Sequence, residues 1–319
     1  MILEIFLLAI GLVILSICAD MLIIAAVKLA DKLKISKLVI SLTVVALGTS
    51  IPETIVSTLS ALKGSSIAFS NVVGSNICNI ALILGVSLFI DKIVINKKME
   101  KEITKMMIIK TIFVILCVIS FVLTKVSGII MLLCLLLYVL NLAKVSKNDE
   151  EFEDADDEEE WIYTVATKIF KNETVIIIVF LALGIFGLYE GGNLVVDSAI
   201  EISTRIGINE GIIGASLVAI GTSLPELITA ISAMKKKEYE IVIGNIVGSN
   251  IINILLILGL SSILTNIPIG NFEIIQLACL IFTSLLFFLF VKKDKTLTKF
   301  HGICLLATYA LSMIVIYFA

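Results

Sequence analysis

Long apolar stretches alternate with short polar connectors along almost the entire chain. A helix that crosses the hydrocarbon core of a bilayer needs about 20 predominantly apolar residues. Ten stretches meet this requirement, at residues 2–26, 38–61, 67–90, 106–123, 126–143, 173–199, 210–233, 241–264, 272–291 and 300–318. The pattern therefore predicts an all-α polytopic membrane protein with ten transmembrane helices.

Composition excludes a soluble protein. Apolar residues make up 59% of the chain and charged residues 16%, whereas soluble domains are about 45–50% apolar and about 25% charged. The connectors leave no room for a soluble catalytic domain, and the six cysteines all lie within apolar stretches without a metal-binding spacing. We therefore expect no enzymatic activity, no resident cofactor and no nucleic-acid partner, and no obligatory protein partner is evident.

The positive charges predict the orientation in the membrane. Lysine and arginine accumulate in the short connectors that lie on the cytoplasmic side of the membrane. Of the 24 such residues, 21 lie on or beside the connectors that follow the odd-numbered spans, including Lys110 just inside the fourth span, and only Lys63, Lys125 and Arg205 lie on the other face. We therefore predict a multi-pass protein of the cell membrane with both termini extracellular.

The two halves of the chain repeat each other. Residues 40–53 (ISLTVVALGTSIPE) match 213–226 (IGASLVAIGTSLPE), and 71–85 (NVVGSNICNIALILG) match 245–259 (NIVGSNIINILLILG). The repeats predict one five-helix unit at 1–143 and a second at 173–319. Because five is an odd number, the two units cross the membrane in opposite directions, the inverted topology of many secondary transporters.

An acidic linker, residues 144–172, joins the two repeats on the predicted cytoplasmic side. Ten of the twelve residues from 149 to 160 are Asp or Glu. The segment lacks the spaced ligands and glycine of an EF-hand loop. Two interpretations stay open: a solvated linker between the halves, or a weak regulatory calcium-binding tether.

The first repeated block places a carboxylate at membrane depth in each half. Glu53 and Glu226 lie well inside apolar spans and directly follow a proline. A carboxylate at this depth is costly and normally has a partner or lines a wet cavity. Because proline removes a backbone donor and clashes with the preceding turn, and Gly48 and Gly221 loosen that turn, we predict that both helices break here and free carbonyl oxygens.

The second repeated block adds neutral oxygens. Ser75 and Asn79 are four residues apart and share one helix face, and Ser249 and Asn253 repeat this arrangement. Such residues also serve as polar contacts between membrane helices, so a packing role stays open for each one alone. Together the blocks supply hard oxygen ligands without sulfur or imidazole, which favours a cation such as Ca²⁺ over zinc or copper.

With GTSIPE, GTSLPE and two copies of NxVGSNIxNI, the chain resembles the calcium/cation antiporter superfamily, most closely the prokaryotic sodium/calcium exchangers. The resemblance covers essentially the whole chain and implies alternating access, in which the first spans of both halves slide against the other eight. It also implies four ion sites in a diamond-like cluster. The ligands it implies are Glu53 and Glu226 for both ions, backbone carbonyls of Thr49 and Thr222 for Ca²⁺, Ser50, Ser223, Ser75, Ser249 and the carbonyls of Ala46 and Ala219 for Na⁺, and Asn79 and Asn253 to complete the cluster.

One position departs from the family pattern. Well-known sodium/calcium exchangers carry an aspartate at the position of Asn253. With two carboxylates instead of three, a third bound Na⁺ leaves excess positive charge in a low-dielectric site. We therefore expect exchange of Ca²⁺ for Na⁺ that is closer to electroneutral, with a proton-coupled Ca²⁺/H⁺ antiporter as the alternative. A passive cation channel is the alternative of another class.

Two further polar residues lie at membrane depth. Asp20, in the first span, aligns with the neutral Asn193 of the second repeat and is interpreted as a packing or access-path group. Glu190 has no acidic counterpart and is not predicted as a ligand.

Overall fold

The computed structural model describes residues 2–63, 67–146, 161–205 and 219–318. Its helices are α1 Ile2–Leu33, α2 Lys37–Ile40, α3 Ala46–Thr49, α4 Ile51–Leu62, α5 Ile67–Cys78, α6 Leu84–Ser87, α7 Lys97–Ser120, α8 Lys125–Ser146, α9 Trp161–Ile169, α10 Glu173–Arg205, α11 Ala219–Thr222, α12 Leu224–Lys235, α13 Tyr239–Ile252, α14 Gly259–Leu264, α15 Asn271–Asp294 and α16 Lys299–Tyr317. Three π-helical segments connect neighbouring α-helices: π1 Ser41–Val45, π2 Asn79–Ile83 and π3 Asn253–Leu258. Four two-residue strands complete the fold: β1 Ile93–Val94, β2 Val122–Leu123, β3 Ile267–Pro268 and β4 Thr296–Leu297.

The described residues contain eight helices long and apolar enough to cross a membrane, and nine when the bent pair Lys37–Thr49 and Ile51–Leu62 is taken as one span. The all-α polytopic architecture is therefore confirmed. The predicted seventh span, 210–233, includes residues outside the described ranges, and its described part consists of α11 and α12. The central part of the predicted linker, 147–160, also lies outside the described residues.

Several helices are longer than the apolar stretches predict. The fourth span was expected at 106–123, whereas α7 begins at Lys97. Lysine-rich segments can continue a helix through the membrane interface because their long side chains extend towards water. As a result Lys110, expected just inside this span, lies near the middle of α7 and is fully buried.

The two repeated GTS-x-PE motifs break their helices at the serine, as predicted. Ser50 separates α3 from α4 and Ser223 separates α11 from α12, and both serines have backbone angles outside the helical range, near φ −84°, ψ 12° and φ −94°, ψ 8°. The following proline then occupies the first turn of the new helix, where its missing N–H is not needed. The helix axis bends by 52° between α3 and α4.

Short strands join the two halves, a feature that the sequence did not predict. β1 pairs with β4 and β2 pairs with β3, both antiparallel. Adding 174 to Ile93 gives Ile267, and subtracting 174 from its partner Leu297 gives Leu123, so the pair Ile93↔Leu297 maps onto the pair Ile267↔Leu123. The same internal two-fold relation therefore holds in the structure and in the repeated sequence.

The halves approach each other closely at Gly248 in α13. A Cβ on Gly248 would lie 2.7 Å from the Ala46 Cβ and from the Leu42 carbonyl oxygen, so only glycine fits this crossing. Gly248 therefore allows the two halves to approach closely at this point. A Cβ on Gly74, its counterpart, would meet no described atom within 4 Å; the segment equivalent to Leu42–Ala46 lies mostly outside the described residues.

The two long helices α1 and α10 pack against each other over much of their length through small residues. A Cβ on Gly184 would lie 3.1 Å from the Cys18 carbonyl oxygen, and a Cβ on Gly11 would lie 3.1 Å from the Gly191 carbonyl oxygen. Glycines at such contacts let two helix backbones approach closely without large interlocking side chains.

Candidate ion-binding site

The two membrane-embedded glutamates occupy equivalent positions just after the breaks. Glu53 lies in the first turn of α4 and Glu226 in the first turn of α12, and each is 1% exposed. A carboxylate near a helix N-terminus interacts favourably with the free N–H groups there. The broken helices thus hold both carboxylates inside the protein, beside freed backbone groups.

Each glutamate accepts a hydrogen bond from a serine of the other repeat. Ser50 Oγ donates to Glu226 Oε1 at 3.1 Å, and Ser223 Oγ donates to Glu53 Oε1 at 3.0 Å. The two bonds are related by the internal two-fold, since 173 separates both the serines and the glutamates in sequence. The predicted pair of carboxylates therefore meets in one cluster built equally from both halves.

The cluster contains buried oxygens without protein partners. Glu53 Oε2, Glu226 Oε2, Asn79 Oδ1, Asn253 Oδ1 and Ser249 Oγ are inaccessible to solvent and make no hydrogen bond among the described residues. Leaving a buried polar atom unpaired costs about 1–3 kcal/mol, and more when the group is charged. Five such oxygens among the predicted ligands are explained if a cation supplies the missing interaction.

The remaining predicted ligands lie in or beside the same cluster. Ser223 Oγ is 3.4 Å from Ser75 Oγ, which brings the two repeated blocks into contact. Thr49 is fully buried, and Thr222, also buried, lines a neighbouring cavity. The predicted set is thus largely brought together, although which atoms contact an ion stays a prediction.

The carbonyl of Ala46 is less free than the sequence suggested. It accepts the Ser50 N–H at 3.1 Å, the last bond of α3 before the break. The Thr49 hydroxyl also lies 3.4 Å from this oxygen, but it has a single proton, which the shorter bond to Asn245 uses. The second lone pair of the Ala46 carbonyl therefore stays available for ligation. The backbone of Ala219 belongs to α11.

Asn245 is a site residue that the sequence analysis missed. Its Oδ1 accepts a hydrogen bond from Thr49 Oγ1 at 3.1 Å, while its buried Nδ2 has no partner among the described residues. The available signal was its place in the repeated block, where Asn71 stands opposite it. Because it holds the Thr49 side chain, Asn245 helps to position the helix break.

A cavity of about 140 Å³ lies beside the cluster. Residues of both broken helices and of α10 line it, among them Pro52, Thr222, Pro225, Asn193 and Asp197. Asn193 aligns with Asp20 in the repeat and lines this cavity, so in the second repeat this position fits a role in the access path. In the first repeat, Asp20 accepts a hydrogen bond from Ser232 and pairs with Lys236 at 3.4 Å, which fits a packing role.

The donor set determines which cations fit. The described residues contain no group of three or more His, Cys, Asp or Glu side chains able to hold a metal ion. The cluster instead combines two carboxylates with amide and hydroxyl oxygens, and hard cations such as Ca²⁺ and Na⁺ favour such ligands.

Comparison with known proteins gives the family. The sequence profile of the family described as sodium/calcium exchanger protein matches residues 3–144 and 176–318, which is most of the chain. The chain belongs to the sodium/calcium exchanger family. The resemblance drawn from the repeated motifs is thereby confirmed, and the family is one of membrane transporters rather than enzymes.

Individual relatives match this chain over nearly their full length. The chain is 32% identical over 305 residues to an uncharacterized membrane protein of Methanocaldococcus jannaschii, covering 95% of this chain and 94% of the relative. It is 28% identical over 365 residues to the sodium/calcium exchanger MaX1 of Methanosarcina acetivorans, covering 98% and 97%. The solved structure of the sodium-calcium exchanger NCX_Mj, soaked with Na⁺ and Sr²⁺, matches with a TM-score of 0.84 at 30% identity over 98% of both chains.

Proposed function

We propose that this chain is a secondary antiporter that exchanges Ca²⁺ for Na⁺ across the cell membrane. The ions bind in the cluster between the Glu53 and Glu226 repeats. The observation that carries this proposal is the pair of crossed Ser–Glu bonds, since each leaves the second carboxylate oxygen buried and without a protein partner. Membership of the sodium/calcium exchanger family supports the choice of ions.

Shared ligands explain why the exchange would be coupled. Two carboxylates balance either one Ca²⁺ or two Na⁺, and leaving both carboxylates charged without any cation in a low-dielectric interior is costly. The empty site therefore resists reorientation, while in either loaded form the cargo balances the charge of the two carboxylates. This is the condition for exchange without leakage of one ion alone.

Alternating access requires that one group of helices move relative to the site. The contact between α1 and α10 is built on glycines, and these two helices flank the broken ones. We propose that they slide together past the remaining helices and open the site to each side in turn. The lysine distribution supports an orientation with both termini outside and the linker 144–172 in the cytoplasm.

The alternative transport modes make different predictions in one experiment. Purified protein in vesicles is tested for Ca²⁺ uptake with an outward Na⁺ gradient, with an outward proton gradient and with no gradient. We expect uptake only with the Na⁺ gradient. Uptake driven only by protons would replace Na⁺ by H⁺ as the counter-ion, and equal uptake in all three would indicate a channel.

Neutralising either glutamate tests the site itself. Glu53→Gln and Glu226→Gln should each abolish Na⁺-driven uptake, because one remaining carboxylate cannot balance a divalent ion. The matched control is Glu190→Gln, the same substitution at an exposed position on α10, which should leave uptake near the wild-type rate. Normal uptake by either site variant would remove the basis for the proposed site.

The neutral side chain of Asn253 bears on the net charge that moves across the membrane during exchange. With two carboxylates, exchange of two Na⁺ for one Ca²⁺ moves no net charge, and we propose that transport is close to electroneutral. Uptake measured under imposed membrane potentials of either sign should then be nearly constant. A strong dependence on voltage would contradict this.

A further inference from the structure

One lysine is buried at membrane depth without a counter-ion among the described residues. Lys110 is 0% exposed and lies 13 residues into α7, about 20 Å from its start. Its ammonium group donates to Asn250 Oδ1 at 2.5 Å and to Ser284 Oγ at 3.1 Å, and both partners are neutral. A charged group within a membrane span is costly and is usually functional.

Lys110 also breaks the internal symmetry of the core. Adding 174, the offset that relates the β-strand pairs, maps Lys110 onto Ser284, its own hydrogen-bond partner. The same offset maps Asn76 onto Asn250. Asn250 Oδ1 accepts a hydrogen bond from the ammonium group, whereas Asn76 Oδ1 is buried without a partner among the described residues. Among the described residues, a lysine thus occupies one of two symmetry-related buried positions and a serine occupies the other.

The ammonium group contacts a helix that also carries candidate ion ligands. Asn250 follows Ser249 directly in α13 and precedes Asn253 by three residues. The ammonium group therefore contacts the same helical turn that carries these candidate ligands. An α-helix with its side chains is about 10–12 Å across, so we take a separation of about 12 Å between the ammonium group and a cation bound at Ser249 or Asn253.

We propose that Lys110 is a resident cation of the ion-binding core, which weakens cation binding through its charge and raises the cost of binding a third Na⁺. This inference rests on the proposed function. With Glu53 and Glu226 charged, a cargo of two positive charges leaves the core at +1, and a third Na⁺ would leave it at +2. Lys110 therefore acts as a positioning and specificity residue for the ions without touching them.

The charge of the cargo sets the size of the effect. At a separation of about 12 Å and an effective dielectric constant of about 20, removing the fixed charge changes binding about tenfold for each unit of ion charge. Na⁺ should then bind about tenfold more tightly, and Ca²⁺ about a hundredfold more tightly. The logarithmic shift for Ca²⁺ is twice that for Na⁺, a ratio that a loss of packing would not produce.

Titration calorimetry of the full-length protein in detergent measures both affinities, with Ca²⁺ and Na⁺ titrated separately into sodium-free buffer. Lys110→Met removes the charge with little change of volume and should tighten both ions in the two-to-one logarithmic ratio. Ser284→Ala removes a hydrogen bond but keeps the ammonium group, and should bind both ions as the wild type does. The exchange K110S/S284K returns the charge from the symmetry-related position, and should restore both affinities to within about threefold of the wild type.

The outcomes separate this inference from the proposed function. Wild-type protein that binds neither ion would overturn the proposed function and the inference with it. Wild-type protein that binds both ions, with K110M unchanged, weakened, or tightened equally for both, would overturn the role of Lys110 and leave the antiporter in place.

Discussion

At the scale of single residues, the site depends on hydroxyl groups that reach across from one repeat to the other. Ser50 and Ser223 each donate to the glutamate of the opposite half, with nearly equal distances of 3.1 and 3.0 Å. Each bond fixes one carboxylate oxygen, and the other is buried without a partner among the described residues. Each half therefore contributes one side-chain hydrogen bond to the glutamate of the other.

This symmetry predicts equal effects for the two serines. Ser50→Ala and Ser223→Ala each remove one hydrogen bond to a charged group, a contribution of about 1.5–3 kcal/mol, and should weaken Ca²⁺ binding at least about tenfold. Thr43→Ala is the control, since Thr43 Oγ1 bonds the Val39 carbonyl of its own helix. Calcium titration of the three variants gives the comparison; a wild-type affinity for either serine variant would argue against the crossed arrangement.

The neutral side chain of Asn253 leaves two carboxylates to balance the charge of the bound cations. Both polar atoms of its side chain are buried and unpaired among the described residues. Asn253→Asp adds a third carboxylate to the cluster and should admit a third Na⁺, so that Ca²⁺ uptake becomes dependent on the imposed membrane potential. Asn253→Ser, which stays neutral, should remain insensitive to voltage. An aspartate variant that stays voltage-insensitive would show that this position does not set the cargo charge.

The sequence predicted the identity of the main site residues but not their bonds. Glu53 and Glu226 could be found because a carboxylate inside an apolar span is costly to bury and is rarely kept twice, at matched positions, for packing alone. Their crossed bonds depend on how the halves face each other, which the motif spacing does not specify. Lys110 was assigned to the membrane edge because its apolar stretch begins at residue 106, whereas the helix begins at Lys97.

At the scale of elements, breaks and π-helical segments shape the site. Asn79 and Asn253 are each the first residue of a π segment, at equivalent places in the two repeats. A π segment carries an extra residue in its turn and often occurs at functional sites. The sequence predicted the breaks, because proline and glycine mark them, but the π segments contain ordinary aliphatic residues and carry no comparable signal.

Close packing at Gly248 predicts a selective effect on stability. In Gly248→Ala the new Cβ would overlap Ala46 and the Leu42 carbonyl oxygen at 2.7 Å, and relieving such overpacking costs about 1–3 kcal/mol. Gly192→Ala is the control, because its Cβ would meet Pro225 at 3.9 Å, an ordinary contact. Thermal unfolding in detergent should show a lower Tm for G248A alone; equal Tm values would mean that the crossing can relax.

At the scale of the whole molecule, the inverted repeat relates nearly every structural feature described. The motifs, the broken helices, the Ser–Glu bonds and the strand pairs all follow the offset of 173 or 174 residues. The sequence alone predicted the two-fold relation, because the same blocks recur in both halves of the chain. The strand pairs were not predicted because two residues are too few to show a strand pattern. The repeat boundaries at 143 and 173 stay a prediction.

The proposed sliding of α1 with α10 predicts opposite effects for two cross-links. A cysteine at Gly187 would place its Cβ 3.1 Å from the Cys18 Cβ on α1, so a small separation of the two helices reaches the Cβ–Cβ distance of about 3.5–4.5 Å that a disulfide needs. A disulfide there should preserve Na⁺-driven uptake because both helices move together. The pair D20C/S232C joins α1 to α12, where the native side chains are hydrogen-bonded, and its disulfide should stop uptake until reductant is added. Inhibition by the first cross-link, or none by the second, would contradict this motion.

The position of a bound divalent cation tests the central claim most directly. A crystal of the wild-type protein soaked in Sr²⁺, with diffraction recorded for anomalous scattering, locates the ion without assumptions about ligands. We predict one peak in contact with the Oε2 atoms of both Glu53 and Glu226. Strontium bound elsewhere, with neither carboxylate in its coordination shell, would contradict the account.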